Sequence, residues 1–234
     1  MIWVTVVMAV REVRRNALRS FLTMLGVVIG VGAVIAMVTI GNGTTAKVSA
    51  DLTKLGSNLL FVSPGQFGPG RASAEAKPFT ARDVEALREQ LRGVQAVAPV
   101  VQSAVTAIYG GQSRNTTVNG SDNAYFITRD WALQSGRQFL AGEIRAGRAA
   151  CVIGQTVRTE LFGSLDPVGR NMRVKNLSCE VIGLLQAKGQ SSFGSDQDDI
   201  IVMPLRAVQR RIIGNSNISR IYVSAADGVE TAET

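Results

Sequence analysis

The stretch Leu22-Thr-Met-Leu-Gly-Val-Val-Ile-Gly-Val-Gly-Ala-Val-Ile-Ala-Met-Val-Thr-Ile40 decides how this chain is organised. Only Thr23 and Thr39 carry polar side chains in it, and no residue is charged. Because a helix rises about 1.5 Å per residue, the stretch is roughly 30 Å long, the thickness of the hydrocarbon core of a bilayer. The sequence therefore predicts a transmembrane helix over residues 21–41, in preference to a buried core helix.

Four arginines precede this span, opposed only by Glu12: Arg11, Arg14, Arg15 and Arg19. Positive charge beside a span marks its cytoplasmic end. We therefore expect a single-pass protein of the bacterial inner membrane, with a cytoplasmic N-terminus and with the residues after about 41 in the periplasm.

Residues 1–20 have the pattern of an amphipathic helix. Apolar side chains recur at helical spacing, and the arginines fall on the opposite side. This pattern predicts a helix on the cytoplasmic membrane surface, with Trp3 at headgroup depth and lipid as its contact; the alternative is an elbow that touches a cytoplasmic partner. We expect an uncleaved anchor rather than a signal peptide, because the candidate cleavage site Val48-Ser49-Ala50 lies ten residues beyond the apolar run.

Small residues recur inside the span. Gly26 and Gly30 form a small-xxx-small motif, which lets a second helix approach closely. The predicted helix-packing face consists of Gly26, Gly30, Gly32, Ala33 and Ala36.

Composition excludes several classes of protein. The 234 residues contain no histidine, which rules out Ser-His-Asp and Cys-His catalysis and histidine metal sites. The formal charge is +7, but the first 20 residues contribute +3 of it as a topology signal, so we reject nucleic-acid binding. No P-loop or nucleophile elbow is present. The acidic cluster at Asp196, Asp198 and Asp199 is interpreted as a solvated loop rather than a cation site. We therefore predict no catalytic residue, cofactor or metal.

The remaining sequence indicates an α/β domain with short elements. A capping box of Thr80 and Asp83 opens a helix, Gly110-Gly111 joins two strands in a hairpin, and Pro99 is expected to interrupt the strand before it. Residues 188–199 are expected to form a mobile loop. The other predicted strands are Ala150–Ile153, Met172–Val174, Cys179–Leu185, Ile200–Met203 and Ile218–Ser224, and the other predicted helices are Val157–Phe162 and Leu205–Ile213.

The two cysteines, Cys151 and Cys179, each begin an apolar strand. If the strands are neighbours, an oxidising compartment permits a disulfide between them. Two buried free thiols are an equal alternative, and neither cysteine lies in a basic environment that would make it reactive.

Several stretches together resemble MacB-type ABC transporter permeases, the macrolide-exporter and FtsX-like family. They are residues 19–31, Leu55-Gly-Ser-Asn-Leu-Leu-Phe-Val-Ser-Pro-Gly65, Gly136-Arg-Gln-Phe139, Val152-Ile-Gly154, Leu161-Phe-Gly163, Asp166-Pro-Val-Gly169 and Val181-Ile-Gly183. The resemblance covers nearly the whole chain.

The resemblance implies an α+β periplasmic domain of two lobes after the amphipathic helix and the transmembrane helix. A porter-like lobe would start at residues 42–100 and return at 205–234, and residues 101–204 would form an inserted lobe. Members of this family carry three further membrane helices, so we expect either a fragment or a truncated product.

The resemblance also implies a function. A separate ATPase subunit or domain hydrolyses ATP, and the non-catalytic permease transmits the motion to the periplasmic domain, which helps to expel substrate. The implied partners are an ABC ATPase, a second permease copy, a periplasmic adaptor protein and an outer-membrane duct. The alternatives are a lipoprotein-releasing or cell-division permease of the same superfamily, and a single-span periplasmic sensor or interaction module.

Overall fold

The computed structural model describes residues 2–54, 59–65, 77–191 and 194–226. The chain divides into two compact units, Met1–Ala50 and Asp51–Thr234.

Two helices form the first unit. Helix α1 spans Ile2–Arg15, and helix α2 spans Ala17–Lys54. Helix α2 contains the predicted span within a segment, Ala17–Thr45, whose most apolar stretch of 18 residues has a mean hydropathy of 2.5. The helix continues well beyond residue 41, where the predicted span ends, because no proline interrupts residues 41–54. The candidate cleavage site at residues 48–50 lies inside this helix.

The second unit is built on a mixed sheet. Its elements in chain order are β1 Leu59–Val62, α3 Ala81–Gln90, β2 Val94–Tyr109, β3 Gln112–Ser121, α4 Ala124–Thr128, β4 Leu133–Gly136, α5 Ala141–Ala146, β5 Ala150–Ile153, α6 Gln155–Phe162, β6 Asn171–Val174, β7 Leu177–Leu185, β8 Ile200–Pro204, α7 Leu205–Val208 with a π-helical turn Gln209–Ile213, and β9 Arg220–Ala225. The strand order is β1-β9-β2-β3-β8-β5-β7-β4, with β6 paired to β2 and β7. The α/β class is as predicted; the division into two lobes remains a prediction, since this part of the chain is one compact unit.

The long strand β2 joins the two ends of the sheet. It pairs with β9 through Val100 and with β3 from Val101 onward. The prediction that Pro99 interrupts this strand is wrong. Pro99 pairs with Ile221 of β9, just before the strand changes partner, so its missing amide removes no bond from the β3 ladder. Its carbonyl accepts a hydrogen bond from Ser121 Oγ at 2.7 Å.

Local signals predicted the turns and caps well. The Thr80 amide donates to Asp83 Oδ2 at 2.7 Å, which is one half of the capping box that starts α3. Gly110 and Gly111 have φ values of 54° and 86°, as a tight hairpin with a right-handed strand twist requires.

The four interior strands predicted between residues 150 and 203 are confirmed to within two residues at each end as β5, β6, β7 and β8. The predicted final helix begins at Leu205 but opens into the π-helical turn after Val208. The last strand begins at Arg220 rather than Ile218, which instead forms an isolated bridge with Phe79. Elements β1, α4, β4 and α5, each six residues or shorter, were not predicted.

The core of the second unit has three apolar clusters. The largest contains Val118, Ile153, Met172, Ile201 and Met203, all at most 2% exposed. A second cluster is aromatic, with Tyr125, Phe126, Trp131 and Phe139. The third packs Val84 of α3 against β9. These clusters hold the helices of the second unit against the sheet.

Candidate functional site

The apolar segment of α2 is exposed along its length, with none of it buried inside the molecule. Its threonines satisfy their own hydroxyl groups: Thr23 Oγ1 donates to the Arg19 carbonyl and Thr39 Oγ1 to the Ile35 carbonyl, both at 2.8 Å. A hydroxyl bonded one turn back leaves no unsatisfied donor in lipid. The helix is therefore chemically suited to a bilayer.

The small residues of α2 leave space beside the helix backbone. A Cβ atom added at Gly26, Gly30 or Gly32 would meet no atom within 4 Å among the described residues. At about 100° per residue, Gly26, Gly30 and Ala33 fall within about 60° of one another, whereas Gly32 lies about 120° to one side. The predicted helix-packing face would therefore be centred on Gly26, Gly30 and Ala33, with Gly32 and Ala36 on its flank.

The four arginines that are predicted to set the membrane topology lie near the junction of the two helices. Arg11, Arg14 and Arg15 are exposed in the second half of α1, and Arg19 is exposed in the first turn of α2. Arg14 and Arg15 occupy the last turn of α1, where positive charge also complements the helix dipole.

Cys151 and Cys179 lie on neighbouring parallel strands, β5 and β7. Their Cα atoms are 6.0 Å apart, their sulfur atoms are in bonding contact, and both residues are fully buried. A Cα separation of this size suits a disulfide. We propose that the two residues are bonded in the mature protein.

An arginine–glutamate clamp fixes the start of α5. Arg137 Nη1 and Nη2 donate to the two carboxylate oxygens of Glu143 at 2.8 and 2.9 Å, and the Leu140 amide donates to Glu143 Oε2 at 2.9 Å. The Glu143 side chain is only 6% exposed. The hydrogen bonds from Arg137 outweigh the opposing effect of burial and lower the pKa of Glu143 to about 2.

We expect stability to fall in acid because of this clamp. A carboxyl whose pKa is lower in the folded than in the unfolded protein contributes its full stability above about pH 4.5, the unfolded value, and loses it as pH falls toward 2. Since Arg137 is 44% exposed and partly screened, we expect a contribution of about 1–3 kcal/mol. Glu143→Gln should reduce the difference between the unfolding free energies measured in urea at pH 7 and pH 3.

The matched control for this variant is Glu160→Gln. Glu160 also faces an arginine, Arg114, but its side chain is 55% exposed. Its replacement should leave the acid dependence unchanged within about 0.5 kcal/mol. Equal acid dependence in the wild type and in Glu143→Gln would contradict the assignment.

Each aspartate of the acidic cluster has a partner in the fold, although Asp196 is exposed. Asp198 is 5% exposed and accepts backbone N–H bonds from Lys188 and Gly189, both at 2.9 Å. Asp199 pairs with Arg114 at 3.0 Å, and Asp196 accepts a hydrogen bond from Thr156. The interpretation of the acidic cluster as solvated is therefore wrong for Asp198, while Asp196 is exposed, and the mobility of residues 188–199 remains a prediction. No group of metal-ligating side chains occurs among the residues that the structure describes.

A polar cavity of about 210 Å³ lies between β3, α4 and the loop before β8. Two buried atoms that line it, Asn119 Oδ1 and Arg129 Nε, have no hydrogen-bond partner within the described structure. Arg129 and Lys188 both approach the Trp131 ring, at 5.9 and 5.4 Å from its centroid. The cavity is smaller than the 300–1,000 Å³ typical of drug-sized ligands, and ordered water satisfies such groups in many proteins.

The fold and these contacts define a class of protein. Such a protein has a helix long and apolar enough to cross a membrane, followed by a mixed α/β unit whose charged side chains support the fold. Residues 20–234 match the model of the MacB-like periplasmic core domain. The chain belongs to that family.

Named relatives agree with this assignment. The chain is 41% identical over 230 residues to the macrolide export ATP-binding/permease protein MacB of Rhodospirillum rubrum, covering 97% of this chain and 35% of the relative. It is 35% identical to the protein of the same name from Syntrophobacter fumaroxidans, covering 93% of this chain and 31% of the relative. The chain thus spans about a third of the length of these relatives.

Solved structures show the same fold. The periplasmic region of MacB from Actinobacillus actinomycetemcomitans superposes with a TM-score of 0.65 at 21% identity, covering 78% of this chain and 81% of that one. The extracellular domain of the noncanonic ABC-type transporter YknZ from Gram-positive bacteria gives 0.57 at 22% identity, covering 73% and 83%.

The motif Gly136-Arg-Gln-Phe139 has a structural basis. Gly136 lies against the backbone of β7, and Arg137 holds Glu143. The Phe139 backbone exchanges hydrogen bonds with the Asn123 side chain at 2.8 and 3.2 Å, and its ring is buried. One short segment thereby connects β7, α5 and α4.

The first four residues of the motif that begins at Leu55 lie outside the described residues, and the rest includes β1.

Proposed function

We propose that this chain is the membrane-anchored periplasmic part of an ABC export permease. The family match over residues 20–234 carries this proposal, and the apolar span in α2 supports it. The named relatives are macrolide exporters, which favours export over lipoprotein release, cell division or sensing.

The proposed orientation follows from charge. The four exposed arginines at the junction of α1 and α2 hold the N-terminus in the cytoplasm of an inner-membrane protein, and the second unit lies in the periplasm. Helix α1 lies on the cytoplasmic membrane surface and contacts lipid through its apolar side, near an ABC ATPase.

The proposed mechanism is mechanical. A separate ATPase subunit or domain hydrolyses ATP, and the permease helices pass its motion to the periplasmic unit, which works with an adaptor protein and an outer-membrane duct. The segment Leu22–Ile40 has no charged residue to line an ion pathway, and its small-residue face suits close contact with another helix. In the second unit, the pair of Arg137 with the buried Glu143 and the cysteine pair hold neighbouring elements together under such motion.

A chimaera tests the function. Replacing the matching third of the Rhodospirillum rubrum exporter with this chain should preserve macrolide resistance in a drug-sensitive host, since the two are 41% identical over that segment. The wild-type exporter and an exporter with an inactivated ATPase are the references. A chimaera that is inserted and hydrolyses ATP but confers no resistance would contradict the proposal.

The predicted helix-packing face leads to a second testable prediction, which concerns crosslinking between two permease copies. In a permease dimer, Gly30→Cys should form an intermolecular disulfide on mild oxidation at least about five times faster than Val28→Cys, because residue 28 lies on the opposite side of α2. The rate is read as the dimer band on a non-reducing gel. Cys151 and Cys179 are buried and do not interfere. Equal rates at both positions would show that this face is not the dimer contact.

A further inference from the structure

An open groove of about 760 Å³ crosses the second unit at a place that the proposed function does not use. Three separate segments form it: the start of α3, the α7 helix with its π-helical turn, and the loop that leads to β9. Its lining residues are Thr80, Ala81, Leu205, Arg206, Gln209, Arg210, Gly214, Asn215, Ser216, Asn217 and Ile218.

The groove is positively charged and has no counter-charge in its lining. Arg206 and Arg210 are exposed lining residues, and no lining residue is acidic. Neither guanidinium lies within 4.0 Å of a carboxylate in the described part of the chain, whereas Arg88, Arg114 and Arg137 all do. Asp83, three residues into the α3 segment, is already bonded to the Thr80 amide and hydroxyl.

Arg206 also contacts a neighbouring helix. Arg206 Nη1 donates to the carbonyl of Arg145 at 2.8 Å, which places the exposed end of α5 beside the groove. Arg211 follows Arg210 in the π-helical turn and is also exposed. Residues 205–226 contain four arginines and no acidic residue.

The wall of the groove is held in a fixed shape. The buried Gln209 side chain donates from Nε2 to the carbonyls of Ser216 and Asn217, at 2.8 and 3.3 Å. The Gly214 amide donates to the Gln209 carbonyl at 2.7 Å, and Gly214 takes the left-handed conformation at φ 85°. Isolated π-helical turns are costly and are found disproportionately at functional sites. The π-helical turn therefore carries Arg210 and also holds the loop of Ser216 and Asn217 in place.

The floor of the groove is apolar. Ile218 is 1% exposed and exchanges two backbone hydrogen bonds with Phe79, at 3.0 and 3.2 Å. Leu205 is half-buried beside it. Asn215 and Asn217 add exposed amide side chains along the edge. The groove thus combines cationic side chains, amide donors and an apolar surface, which is the chemistry of a peptide site rather than of a lone phosphate site.

We propose that this groove is a docking site for an acidic segment of a partner protein. Carboxylate side chains of that segment pair with Arg206 and Arg210, an adjacent apolar side chain packs on the half-buried Leu205, and the asparagine amides contact its backbone. Arginine suits this role because its planar group binds a carboxylate through two hydrogen bonds. The site goes beyond the proposed export function and does not depend on the exported substrate.

Binding of a labelled peptide to the whole 234-residue chain in phosphatidylcholine nanodiscs tests the site. The probe is a fluorescein-labelled octapeptide of alternating glutamate and leucine, and fluorescence anisotropy gives its Kd. Arg206→Glu together with Arg210→Glu should weaken binding at least about tenfold, since two charge-assisted contacts become repulsive. Arg210→Glu alone should weaken it at least about threefold, and keeps the test valid if the double variant does not fold.

Two further variants distinguish the effect of the groove on binding from the effect of net charge. Arg92→Glu with Arg170→Glu changes net charge equally at exposed positions outside the groove lining and should alter Kd less than about twofold. Gln209→Leu keeps every charge but releases the loop, and should weaken binding about threefold or more. Equal weakening by the two charge-reversal pairs, or no effect of Gln209→Leu, would overturn the proposal.

Vesicles distinguish a protein partner from a lipid surface. Phosphatidylglycerol vesicles supply anionic headgroups without a peptide, and should neither displace the octapeptide at matched ionic strength nor distinguish Arg210→Glu from Arg92→Glu. If the groove variants lose vesicle binding but keep peptide binding, the groove is a lipid site and the proposal is wrong. Macrolide resistance of the chimaera is scored separately, so failure of this test leaves the export proposal standing.

Discussion

Gly136→Ala is expected to lower the free energy of unfolding of the chain by about 3–5 kcal/mol. Gly136 has a φ of 83°, a conformation that a residue with a Cβ atom adopts only under strain. An added Cβ would also lie 2.6 Å from the Gly183 Cα and closer still to the Ile182 carbonyl oxygen. Both contacts are with backbone of β7, so relief requires movement of a buried strand. Urea denaturation followed by circular dichroism gives the measurement.

Gly169→Ala is the matched control for this variant. Gly169 has nearly the same φ, 81°, but an added Cβ would meet nothing within 4 Å. It should therefore cost only the conformational strain, about 1–2 kcal/mol. The difference between the two variants measures the close approach of β4 to β7, and equal losses would show that no such approach exists in solution.

Replacing both cysteines by alanine is expected to lower stability by about 3–4 kcal/mol, from the entropy of the chain segment that the disulfide closes. The two residues are 28 positions apart and fully buried, so the variant also loses some packing. The measurement compares thermal unfolding of the oxidised wild type, of the wild type in a strong reductant, and of Cys151→Ala with Cys179→Ala.

The reductant provides the control. It should destabilise the wild type and leave the double variant unchanged, because only the wild type has a bond to reduce. If the reductant has the same small effect on both, the cysteines are buried free thiols and the proposed disulfide is wrong.

Features that depend on nearby residues could be predicted from the sequence. The span in α2 follows from the composition of nineteen consecutive residues. The capping box of Thr80 and Asp83 and the Gly110-Gly111 turn each need only two to four residues. The neighbouring residues determine the backbone conformation of such features, because a cap or a tight turn allows the backbone few conformations.

Features that join distant segments could not be predicted. The ion pair of Arg114 and Asp199 joins residues 85 positions apart, and the groove of Arg206 needs segments that begin at residues 80, 205 and 214. Pro99 misled the sequence interpretation because its effect depends on where β2 changes partner, which is a property of the whole sheet. Asp198 resembled a solvated residue because only the folded loop brings the amides of residues 188 and 189 to it.

The family match and the geometry support the same account. The match identifies the family, and the structure has the two parts that the proposed function needs: a helix with the uncharged segment Leu22–Ile40 for the membrane, and an α/β unit for the periplasm. Both proposals require that these two parts lie where the charge pattern places them.

Single-cysteine labelling in intact cells tests that placement most directly. Trp3→Cys and Arg92→Cys introduce thiols at exposed positions in α1 and after α3, and Cys151 and Cys179 are buried. A membrane-impermeant maleimide, admitted through a permeabilised outer membrane, should label position 92 at once and position 3 only after the inner membrane is opened. Labelling of position 3 in intact cells, with position 92 protected, would contradict the account.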